Sequence, residues 1–349
     1  MGLIFDANSD QQRRAFAERA VLRYWLRQPG SAARYGDKGR QRCVEDMLYT
    51  LVYLEAAVST GSMEIFRDYI SWLRSIFICY DIDIDDLAGT LETLQEIFIE
   101  RGDVIQAEFL EDSLRLMDTM EDVPASKLSE DNPFKVMADD YLRRLLSQDQ
   151  SGATDLIFNA ADAGIPIPNL YMNVLQPSLQ EVGRLWQMNR ITIPQEHYFT
   201  AATKTIMSQL YPYLMQRRLN GRRLIATCID GELHEIGIRM VCDVFSMNGW
   251  DAVYLGASIP VKEIVTLVEL EKPEVLALSV TIAPNLPKAS ALIGALRGNP
   301  RCDDTKIIVG GYPFNNCPGL WRRIGADACA RDAAAAMTWA GLRFPQQAN

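Results

Sequence analysis

The sequence predicts a multidomain protein in which two all-α domains precede one α/β domain. Apolar residues recur with a helical period of about 3.6 over roughly the first 215 residues, after which short apolar runs alternate with helical segments. A polar, proline-bearing segment from Met120 to Pro133 interrupts the helical pattern and has the composition of a linker. The predicted domains are residues 1–122, 134–215 and 222–345.

Composition restricts the class of protein. Of the 349 residues, 48% are hydrophobic and 23% are charged, which excludes a disordered chain and is typical of a globular protein. Each apolar stretch is too short or too charged to cross a membrane, and Met1 to Arg14 lacks the basic and then apolar order of a signal peptide. We therefore predict a cytoplasmic protein without a membrane partner.

Charge and residue counts narrow the chemistry further. The net charge of −10 and the pI of about 4.9 predict repulsion from phosphate backbones, so a nucleic-acid partner is not expected. Seven cysteines, an odd number without a C-x-x-C pair, favour reduced thiols over a disulfide framework or a zinc ribbon. The chain has two histidines, His197 and His234, so any chemistry that needs imidazole must use one of them.

The two helical domains are predicted from apolar stripes. Several packed helices are expected between Gln11 and Met120. In the second domain, one stripe ends at Trp186, and Pro194 stands where a new helix over Gln195–Met215 would begin, so roughly four helices are expected. A basic hinge, Gln216–Arg223, follows.

The third domain is predicted to contain a parallel sheet, because strands and helices alternate. The predicted strands are Leu224–Ile229, Ala252–Leu255, Val275–Ile282 and Ile307–Val309. The helices expected after the first two strands are Glu235–Met247 and Val261–Leu270. Ligands of such domains bind outside the carboxyl ends of the strands.

A histidine follows the first predicted strand, in the loop Asp230-Gly231-Glu232-Leu233-His234-Glu235-Ile236-Gly237. Neutral imidazole can bind a transition metal through one nitrogen while its other nitrogen donates to a carboxylate, and Glu232 or Asp230 is a candidate for that carboxylate. The alternative interpretation is a loop histidine that is bonded only to its neighbours. The loop therefore predicts a metal-ligand site or a structural turn.

The third domain resembles the cobalamin-binding Rossmann-like (flavodoxin-like) domain, which carries D-x-H-x-x-G, a serine on a later strand and a G-G pair. Here the corresponding residues are Glu232-Leu233-His234-Glu235-Ile236-Gly237, Ser279-Val280-Thr281 and Gly310-Gly311. The resemblance implies that His234 is the lower axial ligand of cobalt. It also implies that the nucleotide tail of cobalamin fills a slot beside the serine strand, where glycine leaves the space that a side chain would occupy. Glu232 departs from the usual aspartate.

The second domain resembles the four-helix bundle cap of the same family. Trp186 is followed after nine residues by Glu196-His197, which is similar to the W-x9-EH arrangement of adenosylcobalamin photoreceptors of the CarH type. This resemblance implies that Trp186 fills the space over the corrin and that Glu196 accepts hydrogen bonds from ribose. Gln187 replaces a histidine of that type, and the alternative interpretation of Trp186 is a core aromatic residue.

The first domain resembles the globin-like module of photocobilins, which pair cobalamin with a bilin such as biliverdin. Residues 11–120 contain no histidine, which disfavours a haem globin. Cys43 or Cys79 is a candidate for a thioether to the bilin. The alternative is a helical dimer interface with its core. The predicted lining residues of a bilin site are Arg42, Tyr49, Tyr53, Tyr69, Trp72 and Arg74.

These resemblances imply a light sensor that is not an enzyme. It would bind adenosylcobalamin through His234, lose the cobalt-carbon bond in light and change its assembly as a dimer or tetramer, with an effector such as a nucleotide cyclase as a partner. One alternative is a corrinoid methyl carrier of a methyltransferase system. A second is an interaction module that no longer binds cobalamin.

Overall fold

The computed structural model describes residues 10–214 and 218–344, with the side chain of Ala32 left out. The chain divides into two compact units, Met1–Val123 and Pro124–Asn349. The predicted helix end at Met215, the hinge residues Gln216 and Arg217, and the outer ends of the first and third predicted domains lie outside the described residues.

The first unit is helical, as predicted. Its α-helices are α1 (Asp10–Arg27), α2 (Pro29–Thr60), α3 (Met63–Cys79), α4 (Ile84–Arg101) and α5 (Val104–Leu116). Gly36, with φ of 60°, interrupts the helical backbone of α2. The helices end at glycines with positive φ or at short turns, and buried apolar side chains from all five helices form the core. A globin-like arrangement of these helices stays a prediction.

Several predicted bilin-lining residues of the first unit pack against each other. The rings of Tyr53 and Tyr69 stack with centroids 4.1 Å apart, and Trp72 stacks next to Tyr69. Arg74 bonds the carbonyl oxygen of residue 120 and the carboxylate of residue 122, so its guanidinium is engaged within the unit. Burial raises the pKa of Cys43 to about 12, which makes its thiol a poor nucleophile for a thioether.

In the second unit, a helical layer over residues 135–214 precedes the sheet. Its elements are α6 (Lys135–Leu146), α7 (Gln150–Asp162), α8 (Ile167–Leu170), a π-helical turn (Tyr171–Leu175), α9 (Gln176–Gln187), α10 (Ile193–Gln209) and α11 (Tyr211–Leu214). Thr192 and Gln195 form a capping box at the start of α10, and Pro194 occupies its first turn. No helix among the described residues is long and apolar enough to span a bilayer.

Five parallel strands in the order β2-β1-β3-β4-β5 form the sheet. The strands are β1 (Arg223–Ile229), β2 (Asp251–Ile259), β3 (Val275–Ser279), β4 (Lys306–Gly310) and β5 (Ala328–Cys329). The main helices between and after them are α12 (Ile236–Met247), α13 (Val261–Glu271), α14 (Leu286–Arg297) and α17 (Ala333–Arg343), and α15 (Tyr312–Asn316) and α16 (Leu320–Arg323) are short.

This order is that of a flavodoxin-like, Rossmann-like domain, and the predicted parallel sheet is confirmed. The predicted third strand is too long: beyond Ser279 the N–H of Val280 still donates to the carbonyl of Gly310, but those of Thr281 and Ile282 donate to Glu232 instead of continuing the ladder. The two-residue β5 is too short for a hydrophobic pattern to predict it.

The central strands β1 and β3 are buried on both faces, whereas the edge strand β2 is only half-buried. Leu224, Ala226 and Cys228 of β1 share a core with α12 and α17, and the alternate residues of β1 are buried as well. Met240 and Val244, on another face of α12, belong to the core of the helical layer. Helix α12 therefore lies between the sheet and the helical layer, and it begins directly after the histidine of the predicted site.

Candidate functional site

The site is built around a buried carboxylate in the loop of residues 230–235, which we call the His234 loop. Glu232 has no exposed surface. Its Oε1 atom accepts hydrogen bonds from the backbone N–H and from Nδ1 of His234, at 3.0 and 2.6 Å. Its Oε2 atom accepts from the backbone N–H groups of Thr281 and Ile282, at 2.8 and 2.9 Å, and from Nδ2 of Asn285 at 3.2 Å. One carboxylate thus joins His234 to the end of β3.

These contacts fix the protonation of both partners. Burial alone would raise the pKa of Glu232, but hydrogen bonds from the His234 ring and from backbone N–H groups of His234, Thr281 and Ile282 lower it to about 2. The hydrogen bond with Glu232 raises the pKa of His234 against the opposing effect of burial. Because Glu232 is ionised, Nδ1 of His234 carries a proton, and Nε2 is the nitrogen that can bind a metal. The side chain of His234 is 58% exposed.

The second candidate for the carboxylate, Asp230, has a different role. Its side chain pairs with Nζ of Lys288 at 3.0 Å, and the hydroxyl of Ser258 donates to it at 3.4 Å. Ser258 also accepts the backbone N–H of Gly231 at 3.0 Å. Asp230 therefore supports the start of the His234 loop, while Glu232 orients the imidazole.

The serine strand lies next to the histidine, as the resemblance implies. Ser279 is buried at the end of β3, in register with Cys228 of β1 and Gly310 of β4. Thr281 takes part through its backbone N–H, which donates to Glu232. An added Cβ at Gly237 would meet no heavy atom within 4 Å, so Gly237 borders open space beside the start of α12.

The glycine pair is required by the fold itself, and its role beside a nucleotide tail stays a prediction. A Cβ at Gly311 would lie 2.0 Å from the carbonyl oxygen of Val280, and one at Gly310 would lie 2.9 Å from that of Ala330. Gly311 also has a φ of 109°, in the region that favours glycine. Close approach of backbone to backbone requires both glycines, whereas the sequence interpretation assigned them to the space of a nucleotide tail.

The three predicted residues of the helical layer are only partly brought together. Trp186 is half-buried near the end of α9, and Glu196 and His197 lie in the first turn of α10. Glu196 bonds Nδ1 of His197 and accepts from the hydroxyl of Thr200 at 3.0 Å. Among the described residues, the side chain of Glu196 thus forms hydrogen bonds with these two partners and not with Trp186. The side chain of His197 is 74% exposed.

The negative charge of Glu196 helps to raise the pKa of His234, after the hydrogen bond and charge of Glu232. The loop is also bonded to the helical layer through Glu235, whose carboxylate pairs with Nζ of Lys204 at 2.5 Å. Sequence reasoning missed Lys204 and Asn285. Nothing in the pattern around Lys204 marks it, whereas the position of Asn285 just beyond the carboxyl end of a predicted strand was a usable signal.

The donor set fits the lower ligand site of a corrinoid. An imidazole with a fixed tautomer presents Nε2 at the carboxyl end of a central strand, beside an open glycine, and its partner carboxylate is fully buried and ionised.

Comparison with known proteins agrees with this chemistry. Residues 222–338 and residues 137–211 match two family models, each described as a B12 binding domain. Monomethylamine corrinoid protein 2 of Methanosarcina acetivorans is 27% identical over 198 residues, which are 55% of this chain and 90% of that protein. Trimethylamine corrinoid protein 1 of the same organism is 25% identical over 189 residues, 53% of this chain and 86% of that protein.

A solved structure shares the fold. The monomethylamine corrinoid protein of Methanosarcina barkeri superposes with a TM-score of 0.54 and 24% identity, and the match covers 60% of this chain and all of that one. The prediction of a cobalamin-binding protein with a Rossmann-like B12 domain is therefore confirmed. The prediction that the chain is not an enzyme is confirmed as well, since its relatives are named corrinoid proteins.

The prediction of a light sensor is wrong. The relatives that match are methylamine corrinoid proteins, and they agree with the alternative that the sequence left open. The spacing of Trp186, Glu196 and His197 suggested a photoreceptor, but the same helical layer occurs in corrinoid proteins that are not named for light. The four-helix bundle description of the layer stays a prediction.

Proposed function

We propose that this chain is a corrinoid carrier in a methyl-transfer system, with His234 as the lower axial ligand of cobalamin. The observation that carries the proposal is the fixed imidazole: Glu232 keeps a proton on Nδ1 and leaves Nε2 for the metal. The methylamine corrinoid proteins among its relatives support methyl transfer as the reaction. When bound, cobalamin supplies a cobalt centre that can take up a methyl group and pass it on.

Each group of site residues has a proposed role toward the cofactor. Glu232 orients the His234 ring, and the backbone N–H groups at the end of β3 hold Glu232 in place. The nucleotide tail is proposed to lie near Ser279 and Thr281, beside Gly310 and Gly311, and Gly237 leaves room at the start of α12. Trp186, Glu196 and His197 are proposed to face the upper side of the corrin from the helical layer.

The partner and the substrate follow from the relatives. A methyltransferase is the proposed partner and a methylamine is the proposed methyl donor, because the relatives are named for monomethylamine and trimethylamine. A methyl group rather than adenosyl is then the proposed upper ligand. The three-domain division, a bilin such as biliverdin in residues 1–122, a homo-oligomer, an effector such as a nucleotide cyclase, and a cytoplasmic location stay predictions.

The first test is ligation by His234. The full chain, labelled with nitrogen-15 histidine, is loaded with hydroxocobalamin, chemically reduced to its paramagnetic Co(II) form, and examined by electron paramagnetic resonance for splitting from an axial nitrogen-15 nucleus, which differs from the splitting given by the nitrogen-14 base of the cofactor's own nucleotide tail. We expect the splitting in the wild type, its loss in His234→Ala, and cobalamin affinity that is weaker by about tenfold or more. His197→Ala is the matched control, because it removes the other histidine and should keep the splitting.

The second test is methyl transfer. The loaded protein, with its cobalt reduced chemically to the Co(I) state, is mixed with a methylamine-specific cobalamin methyltransferase and isotope-labelled methylamine, and the label that stays with the corrinoid of this protein is measured. Label in the wild type and its decrease in His234→Ala are expected. Wild-type protein that binds no cobalamin, or a His234→Ala variant with unchanged splitting, contradicts the proposal.

A further inference from the structure

One face of α10 carries polar side chains at intervals of four residues. Glu196, Lys204 and Ser208 lie on this face, since residues four and eight apart stack along the same side of a helix. Glu196 and Lys204 are half-buried on this face, whereas Ser208 is exposed.

The partners are the His234 loop and the first turn of α12. Nζ of Lys204 pairs with Oε1 of Glu235 at 2.5 Å, and Nη2 of Arg239 donates to the hydroxyl of Ser208 at 3.1 Å. The order along α10 thus matches the order along the loop and α12.

Glu235 is held from the sheet as well. Its second oxygen, Oε2, accepts the hydroxyl of Tyr254 on β2 at 2.6 Å. Its backbone carbonyl accepts the N–H of Arg239 and so begins α12. The side chains of Lys204 and Glu235 are 38% and 23% exposed, which places the pair in a partly desolvated layer interface.

We propose that Lys204 and Glu235 form a clasp that positions His234 from the helical layer. Glu235 is the next residue after His234. Contacts that hold the Glu235 side chain therefore also restrict the backbone that carries the His234 imidazole. Lys204 is a positioning residue that acts through Glu235. The inference rests on the proposed function and adds residues that bind the layer to the axial ligand.

The experiment uses the full chain loaded with hydroxocobalamin. Lys204→Met, which keeps the length of the side chain without its charge, is expected to weaken cobalamin binding about threefold or more and to lower the fraction of bound cofactor that shows axial-nitrogen splitting. Glu235→Gln is expected to give a similar change. The double variant is expected to lose no more than either single variant, because the two residues act as one unit.

Two control variants separate the clasp from general stability. Lys204→Arg keeps the charge and is expected to keep most of the splitting. Thr205→Ala changes an exposed residue next to Lys204. The Thr205 hydroxyl donates to the carbonyl of Ala201 within α10, so this variant should leave cobalamin affinity and axial-nitrogen splitting unchanged. The melting temperature of the cobalamin-free variants is measured alongside.

The outcomes distinguish this inference from the proposed function. Wild-type protein without axial-nitrogen splitting overturns the proposed function and the clasp with it. Splitting that is normal in the wild type and equally strong in Lys204→Met and Glu235→Gln overturns the clasp alone. Variants that melt at a lower temperature but retain full splitting also overturn it, since that result assigns the pair a purely structural role.

Discussion

At the scale of single residues, the departure of Glu232 from the aspartate of the family pattern has a structural explanation. The carboxylate bonds His234 with one oxygen and the backbone at the end of β3 with the other. The longer side chain lets one group span both partners. The sequence left it open whether the extra methylene weakens ligation by His234; the short contact of 2.6 Å to Nδ1 shows an engaged imidazole.

Replacing this carboxylate by an amide should be costly. In Glu232→Gln, the amide nitrogen must face either His234 or the N–H donors of Thr281 and Ile282, and one set of buried donors then loses its acceptor. We expect the free energy of unfolding to fall by about 2 to 4 kcal/mol, measured by urea denaturation without cobalamin.

Asn285→Ala provides the graded comparison, because it removes one neutral donor at 3.2 Å and keeps the carboxylate. A loss near 1 kcal/mol is expected for it. If Glu232→Gln unfolds at the same urea concentration as the wild type, the negative charge of Glu232 is not needed to join His234 to the end of β3.

At the scale of helices and strands, the π-helical turn before α9 follows from a proline. Pro177 has no N–H to donate to the carbonyl of Asn173, and Nδ2 of Asn132 donates to that carbonyl instead, at 2.7 Å. The N–H of Gln176 bonds back five residues to Tyr171. This turn places the Tyr171 hydroxyl 2.9 Å from Oδ2 of Asp243 on α12, where both side chains are buried.

The Tyr171 contact predicts a pH dependence. Burial raises the pKa of Asp243 to about 6, against the hydrogen bond from Tyr171 and the charge of Arg239, which lower it; the Cys242 thiol is the other titratable neighbour. A carboxyl group with a raised folded-state pKa stabilises the fold only while it is protonated. Its contribution is complete below the unfolded value of 3.8 and is lost as the pH rises through about 6.

The measurement is the free energy of unfolding of wild type and Asp243→Asn between pH 4 and pH 7. Relative to the variant, the wild type should lose up to about 3 kcal/mol as the pH rises through this range. Asp304→Asn, at an exposed carboxylate, is the control and should follow the wild type. Parallel curves for wild type and Asp243→Asn would mean that Asp243 titrates normally.

Elements with a strong period were predictable, and elements set by tertiary contacts were not. The stripe ending at Trp186 and the apolar runs of β1 and β3 predicted their helix and strands, because packing on one or both faces leaves a period in the sequence. The π-helical turn has a local cause in Pro177, but the bond from Asn132 that supports it and the clasp of Lys204 with Glu235 join residues that lie far apart in the sequence. No local pattern records such contacts.

The candidate site shows the same division. The spacing of Glu232, His234 and Gly237 marked the ligand, since these residues share one loop. The spacing of Trp186 and Glu196 led to the wrong prediction of a light sensor. Two proteins can have the same spacing between residues on neighbouring helices and still use their cofactors for different chemistry. The reason for Gly311 was hidden as well, since the Val280 backbone that it approaches lies just beyond the end of β3, in another part of the sequence.

At the scale of the whole molecule, charge and cofactor chemistry are separated along the chain. Residues 1–123 contain 23 of the 45 acidic and 13 of the 35 basic residues, so they carry the entire net charge of −10 and residues 124–349 are neutral. The B12 binding domain matches and all residues of the candidate site lie in the second unit. The relatives match just over half of this chain but about nine-tenths of their own length.

This separation predicts that residues 124–349 bind cobalamin without the first unit. The second unit has its own helical and sheet cores, and the relatives that span it are corrinoid proteins by name. We expect the isolated fragment to bind hydroxocobalamin within about twofold of the affinity of the full chain and to show the same axial-nitrogen splitting.

Because the fragment is neutral and the full chain is not, the two should respond differently to salt when they associate with a charged partner, while cobalamin affinity itself stays alike. Equilibrium titration at low and high salt measures both properties, and a folded fragment that binds cobalamin tenfold more weakly than the full chain would place part of the site in residues 1–123.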